Sequence, residues 1–404
     1  MGNAILTVDQ ITRESVELFR NSNAFLQEID RQFDDQFGKE GMKIGQSLRI
    51  RLPNDYIVRN GPALSTQNTA EQNTTLTVAT QKGVDIDFTT VERTMSLQDY
   101  SKRVLAPAIN NLAGGIAADV MSGATAIANR VQRVDAGGAV LNPTAQTWLE
   151  ANATLDMNSA PKGSRMIIVD PLTNARTVSS LSGLFNPSTR ISEQYQSGDM
   201  KNALGFDWAT DQTILKPTIG TFSAGGTVNG ADQTGSTITV NAITGTLVKG
   251  DIITFEGVYA VNRVTKVSTG QLRQFVVTAN VANGGTSIPI YPALVPAVGG
   301  QSVQYQTVTA SPANAAAMAL VGLAGETFRK NFALAPEAVT IAYAELELPR
   351  GLHEAARVTD DNISIRILTG YIMGTDAMVT RLDVLYGYTW VRGEWAVEVP
   401  DSIN

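Results

Sequence analysis

The sequence predicts a mixed α+β protein with a small antiparallel β-barrel set into it. Three observations carry that expectation. Apolar residues at Leu97, Tyr100, Val104, Ala108, Leu112, Ile116 and Val120 recur three or four apart, which is one face of an α-helix. Segments on either side of it, such as Leu48, Ile50 and Leu52 or Ile363, Ile365 and Ile367, alternate with other residues at the strand period of two. From Lys216-Pro217 to about Ala310 the composition turns to Gly, Thr and Val with few acids, and glycine turns divide it into short strands, as in a small barrel or sandwich.

Residues 1 to about 37 read as an arm. Thr7 or Asp9 can cap a helix carrying Ile11, Val16, Leu18 and Phe19, and a second amphipathic turn carries Phe25, Leu26, Ile29 and Phe33. Those faces need a partner, either the arm's own domain or another subunit. Residues 43–93 read as a long hairpin. Leu48, Ile50 and Leu52 go out, and Val84, Ile86 and Phe88 return. A polar tract, Ser65 to Thr74, forms the tip. Arg49 and Arg51 are then expected to face Asp85 and Asp87 across the ribbon, and an isolated ribbon of this length calls for support from neighbouring molecules.

The long helix is expected from Ser96 to about Gln132, opened by Ser96-Leu97-Gln98-Asp99, interrupted by Pro107, weakened by Gly114-Gly115, and roughly 50 Å in length. Met166-Ile167-Ile168-Val169 is a buried strand, ended by Asp170-Pro171 and followed by a helix over Thr173 to Phe185, with Asp170 read as a helix cap. In the Gly/Thr/Val tract, strands are expected at Thr237–Val240, Asp251–Phe255, Ala260–Val267, Leu272–Thr278, Thr286–Ile290 and Ser302–Thr307. Earlier patterns resume after Ser311-Pro312, so the tract is inserted and not appended. Ala313 to Phe328 reads as a helix and Ala338 to Ala342 as a strand. A closing sheet follows, from Ile363-Ile365-Ile367 through Leu382, Val384, Tyr386, Tyr388 and Trp390 to Val397 and Val399, packed on the long helix.

Composition narrows the function. The 404 residues, 43% hydrophobic and 17% charged, suffice for two or three domains or one domain with large insertions. Net charge is −7 with no basic run, so the chain is suited to enclosing nucleic acid and not to gripping its phosphates. Cysteine is absent, which removes disulfides, thiol nucleophiles and thiolate metal sites and is compatible with a reducing cytoplasm. The single histidine, His353, lies in a loop-like stretch with no flanking nucleophile or ligand spacing, so a histidine triad or zinc site has nothing to build on. No phosphate-loop or dinucleotide motif occurs. No window approaches 18 consecutive apolar residues, and the start lacks signal-peptide and myristoylation patterns, so no membrane association is expected. No cofactor, metal or catalytic residue is assigned.

Gly245-Thr246-Leu247-Val248-Lys249-Gly250-Asp251-Ile252-Ile253-Thr254-Phe255-Glu256-Gly257-Val258 resembles the insertion-domain signature of the coat proteins of short-tailed Salmonella phages. Tyr386-Gly387-Tyr388 in the penultimate strand and Gly205-Phe206-Asp207 before the insertion agree with it. The order of elements is similar to the Hong Kong 97 fold of major capsid proteins of tailed double-stranded DNA phages. The resemblance implies an N-terminal arm (1–40), extended loop (41–93), spine helix and peripheral domain (94–140), and axial domain (141–215 and 311–352). It further implies an inserted β-barrel domain (216–310) and a peripheral closing sheet (353–404). It also implies a non-enzymatic protein whose hexamers and pentamers close into an icosahedral procapsid in the host bacterial cytoplasm. A scaffolding protein and a portal assist, and the finished virion encloses double-stranded DNA without reading its sequence. Arm and extended loop would then lie across neighbours, with Arg49, Arg51, Asp85 and Asp87 as subunit-contact candidates. The rival readings are an encapsulin-like nanocompartment shell, an enzyme with a β-barrel accessory domain, and a tail or fibre protein.

Overall fold

The computed structural model describes residues 8–31, 47–52, 54–58, 61–62, 64, 66, 73–88, 101–180, 200, 202–299, 303–349, 351, 354–372 and 377–403. The chain begins with α1 (Val8–Ser22), α2 (Ala24–Glu28), β1 (Asp30–Arg31), β2 (Ser47–Arg51), β3 (Asn73–Thr77) and β4 (Thr80–Phe88). A π-helical turn, Ser101–Leu105, leads into α3 (Ala106–Ser122), then β5 (Asn129–Arg130), α4 (Ala145–Met157), β6 (Met166–Val169) and α5 (Pro171–Ser180). Next come β7 (Asn202–Ala203), β8 (Phe206–Thr210), β9 (Ala224–Gly225), β10 (Gly235–Thr239), β11 (Ile243–Thr244), β12 (Ile252–Val261), β13 (Ser268–Val277), β14 (Ser287–Leu294) and β15 (Met318–Leu320). The last six are β16 (Phe328–Leu334), β17 (Thr340–Ala344), β18 (Glu354–Asp360), β19 (Ile363–Ile372), β20 (Ala377–Thr389) and β21 (Ala396–Ser402). These elements form two units, one made of Met1–Ile50, Asn73–Val120 and Val339–Val391, the other of Arg51–Gln72, Met121–Ala338 and Arg392–Asn404.

The first unit holds a six-stranded sheet in the order β1-β17-β20-β19-β18, with β4 also paired to β20. Alternation in β19 buries Ile363, Ile365 and Ile367, as expected of a half-buried strand. α1 and α2 place Val16, Phe19, Phe25, Leu26 and Ile29 in the core, α1 lies against β18 and β19, and Phe19 meets Tyr343 edge to face at 6.2 Å. The apolar face of α1 is therefore covered by the sheet of its own unit, while Phe33 lies outside the described residues. Asn23 caps α2 through Leu26 N–H at 3.0 Å.

The long helix is shorter than its periodicity predicts. Its proposed opening at Ser96-Leu97-Gln98-Asp99 lies outside the described residues. Pro107 sits in the first turn of α3, where no intrahelical amide is needed, and the π-helical turn immediately precedes it, so the predicted restart is there. The helix ends at Ser122, not Gln132. Gly123 and Ala124 turn the chain, and Asn129 and Arg130 pair in parallel with Val397 and Glu398. From Ser101 to Ser122 the rod is roughly 30 Å long at ~1.5 Å per residue, not ~50 Å. By length and composition Lys102–Ser122 could cross a membrane, but Leu105, Ile109, Leu112, Ala113, Ile116, Ala117 and Val120 are buried within the protein.

The hairpin pairing is also corrected. β2 pairs with β3, while β4 pairs with β20, setting Asp85 opposite Arg381 and Asp87 opposite Val379. Arg49 and Arg51 therefore do not face Asp85 and Asp87. Joining β4 to a six-stranded sheet satisfies more backbone than a free two-stranded ribbon, which is marginal in water. Gly387 lets β20 approach the 77–78 backbone, because a Cβ there would collide with Thr77 O.

The second unit contains a sheet in the order β5-β21-β16-β6-β8-β7. α4 packs on it through Trp148, Ala151 and Leu155, against Ile167, Val169, Phe206, Ala333, Val397 and Val399. The last strand, β21, thus lies inside this sheet instead of the expected closing sheet, whereas β17 joins β20 in the first unit. Asp170 Oδ2 accepts from Leu172 N–H at 3.0 Å at the start of α5, as its capping role predicts. Residues 181–185 of that predicted helix lie outside the described residues.

A five-stranded sheet, β10-β14-β13-β12-β15, and the ribbon β9-β11 enclose a separate core that includes Phe222, Val240, Ile253, Phe255, Phe275, Ile288 and Met318. β12 runs on to Val261, and the rest of the predicted 260–267 strand is a turn in which Asn262 Oδ1 accepts from Val264 and Thr265 amides. Within the predicted 302–307 strand, residues 303–307 form a turn and loop, and Val308 bridges to Ala260. The helix expected over 313–328 is absent. Met318–Leu320 pairs with β12, which carries the small sheet past residue 310, and Gly322 and Gly325 take positive φ that a helix excludes.

Candidate assembly surfaces and the charge networks behind them

Of the sequence-predicted contact residues, Arg49 and Arg51 are exposed on β2. Asp85 is exposed on β4 and lies 3.8 Å from Arg381. Arg381 Nε also donates to Asp383 at 2.8 Å, and Arg366 Nη2 donates to the other Asp383 oxygen at 2.7 Å. Asp383 is fully buried. Burial works to raise its pKa, but the hydrogen bonds from Arg366 and Arg381 outweigh it and hold the carboxyl below its ordinary value. Asp85 thus ends a charged ladder that reaches into the sheet, which period-two reasoning had no means to locate. The Asp87 side chain and His353 lie outside the described residues.

Asn54 and Asp55, which follow β2, are held by residues of the turn after β12 and by Tyr305. Arg263 Nε donates to both Asp55 oxygens at 3.0 Å, Lys266 Nζ lies 3.7 Å from Asp55, and Tyr305 OH bonds Asn54 Oδ1 at 3.2 Å. Gln304 Nε2 adds a bond to the Asp55 carbonyl. Beyond this latch Tyr56, Val58 and Leu64 stand out as exposed apolar side chains, Leu64 at 85%. Exposed apolar side chains of this kind suit contact with another molecule.

A second network, which sequence reasoning missed, secures the small barrel to the large sheet. Arg130 Nε and Nη2 both donate to Glu398 Oε2, at 3.1 and 2.9 Å, and Lys330 pairs with Glu398 Oε1. Arg130 Nη1 donates to Val321 O at 2.8 Å, and its guanidinium lies 4.8 Å over the Phe328 ring. The Gln274 side chain closes the joint like a strand partner, accepting from Arg130 N–H at 2.6 Å and donating to Arg130 O at 3.0 Å. Nearby, the buried Asp251 accepts from Val248 and Gly220 amides at 2.7 and 3.1 Å; burial nonetheless pushes its pKa up. Arg130 was hidden in sequence because Ile127, Ala128 and Val131 around it extend the helical spacing.

Elsewhere on β21 and β16 of that sheet, Asp401 accepts from Thr173 Oγ1 at 2.7 Å and Arg176 Nη1 at 3.3 Å, while Arg329 spans Asp401 and Asp170. Both carboxylates are thus ion-paired to arginine. Among the described residues, no group of three or more His, Cys, Asp or Glu residues is placed to hold a metal.

Residues 7–399 match the family described as P22 coat protein, gene protein 5. Among solved structures, the chain is similar to one from Mycobacterium phage Che8, at 11% identity and TM-score 0.44 over 93% of this chain and 90% of that one. The capsid of cyanophage P-SCSP1u gives 10% identity and TM-score 0.46 over 100% and 92%. The CUS-3 coat protein I-domain is 33% identical over 24% of this chain and 96% of its own, with TM-score 0.19. No curated protein matches. The protein is therefore a structural coat protein of a phage. Within that class the chain belongs to the P22 coat protein family.

Proposed function

We propose that the chain assembles as hexamers and pentamers into an icosahedral procapsid, which encloses double-stranded DNA without reading its sequence. The family match across residues 7–399 carries this reading, and it disfavours the nanocompartment shell. Among the described residues, the enzyme reading has no cluster of metal-ligating side chains in its support. A non-enzymatic role in the virion, assembly in the host cytoplasm, a scaffolding protein and a portal follow as parts of the same proposal. So do the arm, extended-loop, spine, peripheral, axial and inserted-barrel divisions, with the barrel extended to β15 and β21 assigned to the axial sheet. Arg49, Arg51, Asp85 and Asp87 are retained as contacts to neighbouring subunits, and Tyr56, Val58 and Leu64 join them as apolar contacts. Sedimentation velocity of the full-length protein tests the proposal. Closed shells sediment far ahead of free subunits, whereas a concentration-independent monomer or dimer, even with scaffold present, contradicts it.

A further inference from the structure

Between the small barrel and α4 lies a cleft of about 700 Å³, lined in part by Arg130, Gln132, Asn158, Thr269, Arg273 and Gln274. Arg273 is only 7% exposed. Among the described residues it has no hydrogen bond and no carboxylate within ion-pair distance, and its Nε is buried without a partner. Arg130, by contrast, is committed to Glu398 and Val321.

The charges around Arg273 do not balance it. Arg263 and Lys266 share Asp55, and Arg263 also takes Glu394 at 3.4 Å. Arg392 is buried in the same field and stacks on Trp395 at 4.3 Å. Among the described residues, Glu394 is thus the one carboxylate that acts on Arg273, and it is shared with Arg263, Lys266 and Arg392; burial pushes Lys266, Arg273 and Arg392 below their ordinary pKa values. A guanidinium is not neutralised by deprotonation at physiological pH, so the imbalance calls for an anion. Gln132, which also lines the cleft, has a buried amide oxygen, Oε1, with no hydrogen-bond partner among the described residues. Hydrogenphosphate carries an acceptor for Arg273 and a donor for Gln132. Glu150 lies exposed on the rim, bonded to Gln146, and disfavours a large polyanion.

We propose that this cleft is an oxyanion site in which Arg273 binds one phosphate or carboxylate group from outside the subunit. The two sources are free inorganic phosphate and an acidic side chain of a second copy of this chain. Thermal unfolding of the full-length subunit in chloride and in inorganic phosphate, at matched ionic strength, distinguishes them. If the anion is free, phosphate raises Tm saturably by about 2–4 °C or more. Arg273→Gln abolishes the response, and Arg273→Lys retains part of it. If a second copy supplies the anion, phosphate changes nothing and Arg273→Gln subunits are as stable as wild type, but their shells dissociate at lower urea. Only this arm rests on the shell reading, so failure to assemble at all is seen separately, in the wild type. No phosphate response together with Arg273→Gln shells as durable as wild type overturns the proposal, as does an equal phosphate response in Arg273→Gln. Should Arg273→Gln fail to fold, Arg273→Lys replaces it in the shell assay and phosphorus NMR of inorganic phosphate with wild-type protein replaces it in the binding assay. Unbroadened phosphate with Arg273→Lys shells matching wild type is then the overturning result.

Discussion

At the scale of single residues, the molecule depends on a few buried carboxylates, and their environments give them opposite pH signatures. Glu398 neutralises both Arg130 and Lys330. Glu398→Gln leaves two buried cations without their anion and should destabilise the subunit by about 3–5 kcal/mol, read from urea unfolding. Asp383 has a folded-state pKa below the ordinary 3.8, so its contribution is present above that value and is lost as pH falls through the lower folded value. Acid unfolding of Asp383→Asn should therefore lack the part of the wild-type pH dependence that lies below about pH 4. Asp251 has the reverse sign, because its pKa is raised and its ionisation costs stability as pH rises from 3.8 through the folded value. None of the three networks was legible in sequence. Composition shows how many charges there are, but pairing such as Arg130 with Glu398 is set by which strands become neighbours.

At the scale of elements, strand and helix existence was largely legible while partners and ends were not. The period-two runs at β4, β19 and β20 are strands, since burying alternate residues requires nothing beyond the local pattern. The same pattern is silent on pairing, so Asp85 faces Arg381 and not an arginine of β2. The helix overrun arose because Ile127, Ala128 and Val131 are buried at helical spacing in a turn and a strand, and the alanine-rich 313–319 run reads as helix until its pairing with β12 is known. Close approach gives a sharp test here. Gly387→Ala places a methyl group against Thr77 O and should cost about 1–3 kcal/mol, seen as a lower Tm. The loop latch gives another. Asp55→Ala removes the acceptor of Arg263 and Lys266, so limited proteolysis between residues 51 and 72 should be faster than in wild type while the rest of the digest is unchanged.

At the scale of the whole molecule, composition, the lone histidine and the absence of cysteine turned the sequence away from catalysis, and the 245–258 signature pointed to the coat-protein family that the match over residues 7–399 establishes. The residues proposed for subunit contact come partly from the sequence and partly from the structure. The basic residues of β2 are exposed as a contact role needs, but Tyr56, Val58 and Leu64 drew no notice in a segment read chiefly by its polar tip. Val16 and Phe19 of α1, free in principle to dock on a neighbour, are buried in their own unit. Double charge reversal, Arg49→Glu with Arg51→Glu, should leave subunit Tm within about 1 °C of wild type, because exposed charges contribute little to folding, while reducing the yield of shells in sedimentation. Electron microscopy of the purified full-length protein, co-expressed with its genomic neighbours, tests the central claim most directly. The account predicts closed icosahedral shells of uniform size, with open spirals or aberrant shells where the scaffold is missing; a field of dispersed subunits under both conditions contradicts it.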